Sequence, residues 1–133
     1  MGKYDDSIKA IYSVFDMAGW KALSIPTYPS NFVAAVPGNK YIRVTPIFGS
    51  EAIDIRSSSG ILNIDIFTPA GEGTANAIAI ADHLDAYLVA KLLSGTNGKV
   101  QFGNSYLASQ GADKSNNSLY RHLYTIPFNY FGV

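Results

Sequence analysis

The sequence predicts an α+β domain, a mostly antiparallel sheet with two main helices packed on one face. Three observations point there. Two segments repeat their apolar residues at helical spacing, three others alternate with the period of a strand, and the order is helix, strands, helix, strands. The chain of 133 residues has room for one domain, spanning 1–133, and shows no internal repeat or low-complexity tract.

The first helix is predicted from about Asp5 to Ala18, where Ile8, Ile11, Tyr12 and Phe15 recur at helical spacing. Asp5 and Asp6 favour its N-terminal end, and Gly19 ends it. Trp20 to Ser24 then reads as a short strand, and Ile25 to Asn31, with Pro26 and Pro29, as an extended surface arm. Lys40 to Phe48 alternates, with Ile42 and Val44 on one side and Tyr41, Arg43 and Thr45 on the other, a strand closed by Pro46 or Gly49. Gly49 to Ser59 mixes Glu51, Asp54, Arg56 and four serines without a large apolar face, which predicts a mobile loop or hairpin tip. From Ile61 to Thr68, Leu62, Ile64 and Ile66 oppose Asn63, Asp65 and Phe67, the pattern of a strand with one wetter face.

The second helix is predicted from Thr74, a suitable cap, to about Leu93, with Ile78, Ala81, Leu84, Leu88 and Leu92 along one stripe. Ser94 to Gly98 closes it with glycines suited to left-handed positions, and Lys99 to Phe102 opens another strand. Gln110 to Ser118 is a second polar loop, expected, like the first, to become ordered only against a partner. In the closing strand, Leu119 to Phe131, one parity carries Tyr120, His122, Tyr124, Ile126, Phe128 and Tyr130. Pro127 has no amide to donate, which places that strand at a sheet edge or at a bulge.

Composition narrows the function. Charged residues are 15% of the chain, fewer than the roughly 25% of an average soluble domain, so part of the uncharged surface is expected to meet protein rather than water. Ten basic residues balance ten acidic ones, which leaves no long-range field for nucleic acid or an anionic membrane. With no Cys there is no disulfide, thiol nucleophile or thiolate metal site. The first residues lack the basic head and apolar run of a signal peptide, and no apolar stretch approaches the roughly 18 residues of a membrane span; a soluble protein made in the cytoplasm is expected.

No catalytic set is evident, and no enzyme, cofactor or metal is predicted. Gly71-Glu72-Gly73 between strand and helix is weakly like a dinucleotide fingerprint, but Asn76 stands where a third glycine belongs and Glu72 would oppose a phosphate. His83 has Asp82 beside it, yet adjacent helical residues point apart. His122 lies in an aromatic strand without companion ligands, and Ser57, Ser58 and Ser59 lack a nucleophile elbow. Asp5 and Asp6, like Asp82 and Asp85, read as helix-start charges and a solvated helix face, since catalytic carboxylates must converge across a cleft. Nine Tyr, seven Phe and one Trp could stack on bases, but with few cations near the closing strand they fit a core and a subunit interface better.

The stretch from Gly60 to about Leu93, with Pro69-Ala70-Gly71-Glu72-Gly73 as its most specific part, resembles the tail terminator proteins of long-tailed bacteriophages and related prophages. The first helix, the Tyr41 to Val44 strand and the Tyr124 to Phe128 strand also sit where that family has such elements. The resemblance implies a non-enzymatic virion protein at the head-proximal end of the tail. It implies a homohexameric ring that caps the tail tube protein, stops its polymerisation and offers a surface to a head-completion or connector protein. It carries over only Pro69, Ala70, Gly71, Glu72 and Gly73, as a structural turn, and involves no membrane and no sequence-specific nucleic acid. The alternatives are a head-tail joining or minor tail protein of the same fold, and a small-ligand-binding domain that uses the glycine turn.

Overall fold

The computed structural model describes residues 3–29, 40–49, 57–69, 75–96, 98–112 and 119–132. Three helices, α1 (Lys3–Phe15), α2 (Ala18–Lys21) and α3 (Ala75–Leu88), accompany seven strands: β1 (Thr27–Pro29), β2 (Tyr41–Phe48), β3 (Ser57–Pro69), β4 (Leu92–Ser94), β5 (Gly98–Phe102), β6 (Tyr106–Ala112) and β7 (Leu119–Gly132). All seven belong to one sheet in the order β1-β2-β3-β7-β5-β4, with β6 also on β7. The β1–β2 pair is parallel and the others are antiparallel, so the class is α+β with a mostly antiparallel sheet.

Register sorts the side chains into two faces, because directly paired residues point the same way. Ile42 and Val44 pair with Ile66 and Ile64, which pair in turn with His122 and Tyr124. Leu62 pairs with Ile126, while Phe102 and Val100 pair with Phe128 and Tyr130. These side chains are all buried, and they form one cluster, His122 aside, with Ala10, Ile11, Val14 and Phe15 of α1 and Ala77, Ile80, Ala81, Leu84 and Leu88 of α3. Each large apolar side chain so enclosed contributes about 1.5–3 kcal/mol.

Several elements depart from the sequence reading. Trp20 to Ser24 is not a strand: Trp20 is in α2, and its buried indole stands edge-on to Phe15 and Tyr87 while its Nε1 donates to Thr27 Oγ1 at 3.0 Å. Gly19 is not a helix stop but lies inside α2, where a Cβ would come within 2.3 Å of the Tyr87 hydroxyl. The second helix ends at Leu88 instead of near Leu93, because Ala90 takes a left-handed turn (φ 58°) and donates its amide to Gly103 O at 3.2 Å. That conformation costs a non-glycine residue roughly 1–2 kcal/mol. Leu92 then falls in β4, and the helix stripe runs through Ala77 and Ile80 while Ile78 faces outward, 47% exposed.

The serine loop is shorter than expected, since Ser57, Ser58 and Ser59 extend β3 opposite Phe131, Tyr130 and Asn129; residues 50–56 lie outside the described residues. Likewise Gln110, Gly111 and Ala112 belong to β6, an element the sequence did not announce, and residues 113–118 lie outside the description. Pro46 does not end β2, which continues to Phe48. Pro127 is not at an edge: β7 has β3 on one flank and β5 with β6 on the other. The Pro127 carbonyl accepts from Gly103 N at 2.9 Å, so its missing amide points to that same flank, at the gap between β5 and β6.

Asp6 joins α1 to the sheet. Its carboxylate is 1% exposed, accepting the Thr96 amide at 2.7 Å and the Tyr130 hydroxyl at 2.6 Å. Burial first, then the bond to Asp6, pushes the Tyr130 phenol up to about 12. The neutral phenol therefore contributes stability below pH 10 that is lost as the pH rises through about 12. Gly95 leaves room for the arrangement, since a Cβ there would lie 2.6 Å from the carboxylate. Tyr130→Phe is expected to cost about 1–3 kcal/mol by removing a donor from a buried carboxylate, and Gly95→Ala about 1–3 kcal/mol by overpacking. Urea titration of each variant checks both.

Candidate interaction surface

The face of the sheet opposite the core carries the other parity of every strand, and no helix among the described residues covers it. It has two ends of different character.

At one end the outer face is closed over by its own aromatic residues. Tyr41 and Phe67, directly paired, stack at 4.6 Å between ring centroids, and Tyr28 of β1 meets Tyr41 edge-on at 5.8 Å. The Arg43 guanidinium sits 5.4 Å from the centre of the Phe67 ring. In the next row Asp65, mostly buried, accepts from Arg121 Nε at 2.7 Å and is also bridged by that residue's Nη2. Taking away Arg121 would leave a carboxylate with little water and one partner fewer.

At the other end the outer face is open. Ile47, Ile61 and Pro127 lie side by side on β2, β3 and β7, all exposed, the two isoleucines by 48% and 42%. Further along, Asn129 pairs with Gln101 and Phe131 with Lys99, and all four are exposed. Isolated exposed apolar residues are ordinary on a protein surface, but three in one cross-strand row form a patch that association would remove from water.

The residues singled out in the sequence are scattered across this fold. Pro69 ends β3 opposite Leu119, whereas Ala70, Gly71, Glu72 and Gly73 lie outside the described residues. His83 and Asp82 are on the solvent side of α3. Asp5 forms an exposed ion pair with Lys9 at 3.2 Å, while Asp6, one residue on, is buried; the two acids do not act together. Asp85 is more than a solvated charge: it accepts from the Tyr124 hydroxyl at 2.6 Å and from Ser105 Oγ. Burial, with Asp85 adding to it, raises the Tyr124 pKa. The anchoring roles of Asp6, Asp65 and Asp85 escaped the sequence reading; Asp65, a lone acid within an apolar strand, was the one signal available.

Two recesses open on the described surface. One, of about 330 Å³, lies between α1 and the β4–β5 connection, with Asp6, Lys9, Ser13 and Thr96 on its walls. The other, of about 480 Å³, runs beside Trp20 and Ile25 to Thr27. The Asp6 oxygens in the first already accept from Thr96 and Tyr130. Among the described residues no three His, Asp or Glu side chains gather as metal ligands, and no helix is long and apolar enough to cross a membrane.

No protein-family model matches the chain, and no curated protein matches it. Solved structures do. A gene transfer agent particle, solved as the native virion, contains a chain that superposes with a TM-score of 0.67 and 20% identity, over 93% of this chain and 93% of that one. A second solved protein, carrying no functional description, superposes with a TM-score of 0.73 and 15% identity, over 98% of this chain and 96% of that one. At these identities the likeness establishes the fold, along nearly the whole chain.

His122 offers a pH test of the inner face. It is 2% exposed, its Nδ1 has no hydrogen-bond partner among the described residues, and Tyr120 is 5.1 Å away between ring centroids. Burial lowers its pKa below 6.5. A lowered folded-state pKa means that stability is present above pH 6.5 and lost as the pH falls through the folded value. Urea unfolding between pH 8 and pH 5 is expected to show that loss, with His122→Phe flattening the slope.

Proposed function

We propose that this chain is a structural subunit of a phage-type virion, and within that class a tail terminator that caps the tail tube as a ring. The observation that carries the reading is the end-to-end likeness to a chain of a gene transfer agent virion at a TM-score of 0.67. The resemblance of the Gly60 to Leu93 stretch to tail terminators supports the finer role. The molecule's surface is consistent with it: few charges, an open apolar row on the sheet, and polar side chains of the core occupied as structural anchors. Capping needs no bond chemistry. It draws on buried area and shape complementarity, and a heterologous interface that closes on itself makes the ring.

In this reading the partners are further copies of the chain, the tail tube protein on one side of the ring and a head-completion or connector protein on the other. Six subunits of 14.3 kDa would give a ring of about 86 kDa. The test is electron microscopy of particles made without this gene. Overlong tubes lacking heads are the expected outcome. Tails of normal length beside full, unattached heads would move the protein to a joining role, and normal particles would overturn the virion reading.

A further inference from the structure

We infer that the outer face of α3 in one copy seats on the open end of the sheet in the next, the contact that would close the proposed ring. The inference rests on the self-assembling role given above and names its two surfaces.

Position comes first. The buried side of α3 packs on the inner face of the sheet, so the solvent side of that helix and the outer face of the sheet lie on opposite sides of the subunit. A contact between them in successive copies is head-to-tail, and such a contact generates a ring or a filament rather than a twofold dimer.

Charge comes next. Within α3 there is no Lys or Arg, and its exposed stripe at i, i+4 and i+7 is Ile78, Asp82 and Asp85, of which Asp85 is held by Tyr124 and Ser105 and leaves Asp82 as the outward acid. The outer face of the sheet carries Arg43 and Arg121 at its closed end, the second held by Asp65, and Lys99 at its open end, where no acid stands among the described residues. Asp82 on the helix thus meets Lys99 on the open end of the sheet, an arrangement that favours the unlike pair of surfaces over helix-to-helix contact, which would set Asp82 against its own copy.

Apolar groups follow the same polarity. Ile78 and Asp82 stand about one turn apart on the helix, roughly 6 Å at 1.5 Å per residue. On the sheet, Pro127 in the Ile47–Ile61 row and Phe131 beside Lys99 lie four residues apart along β7, roughly 14 Å. Ile78 against the apolar row leaves Asp82 within the reach of the Lys99 side chain.

The chain has no Cys, so introduced thiols report without background. Ala79→Cys, on exposed α3, and Asn129→Cys, on the open sheet face, are made separately, checked for wild-type thermal melts, and oxidised alone and mixed at a concentration where sedimentation shows association. The mixture is expected to give a cross-linked dimer that neither variant gives alone, and the double variant a ladder of linked oligomers. As a check independent of thiols, Asp82→Lys should weaken association by ~10-fold or more, and adding Lys99→Asp should restore it. Association without cross-linking in the mixture, or cross-linking of either variant with itself, overturns the inference and leaves self-assembly standing. A chain that stays monomeric at every concentration overturns it as well, while the tail-length phenotype decides separately whether the capping role survives.

Discussion

The thirteen-residue antiparallel ladder between β3 and β7 is the constraint on which the rest of the molecule depends. It brings Leu62, Ile64 and Ile66 level with Ile126, Tyr124 and His122, so that both central strands turn the same parity inward. A slip of one residue would send the Tyr124 to Tyr130 series to the outer face and leave the helices nothing apolar to cover. β2 extends the inner face on one flank and β5 on the other, each adding residues of matching parity.

That parity also positions the helices, through two tyrosines. Tyr124 and Tyr130 have buried rings, and each ends in a hydroxyl that reaches past the apolar layer to a helix carboxylate, Asp85 of α3 and Asp6 of α1. Hydrophobic contact alone would allow the helices to slide over the sheet, since it has no direction. A hydrogen bond to an ionised acceptor restricts the distance and the angle. Asp6 additionally holds the β4–β5 connection through the Thr96 amide, so one carboxylate joins the first helix, the outermost hairpin and the central strand.

With the buried cluster on one parity of the strands, the subunit presents unlike surfaces to its surroundings. The outer side of α3 shows Ile78 among small and acidic residues, and the sheet shows an aromatic end closed by Tyr41, Phe67 and the Asp65–Arg121 pair and an apolar end that is open. A chain poor in charge with two dissimilar faces is suited to head-to-tail contact, as the proposed ring would need.

The sequence by itself determined the class of fold, the inward parity of β2, β3 and β7, and the presence of two long helices, because periods of 2.0 and 3.6 are local properties of a chain with one wet side and one dry side. Tertiary structure decided what depends on partners far along the chain. Trp20 became helical because its indole is enclosed by Phe15 and Tyr87, α3 stopped at Leu88 because Ala90 turns to reach Gly103, and Pro127 entered a central strand because its flank faces a break between two neighbours. Asp5 and Asp6 make the division clearest: as neighbours in one helical turn they look alike in sequence, but the helix rotates one to water and the other onto Tyr130, a residue 124 positions away.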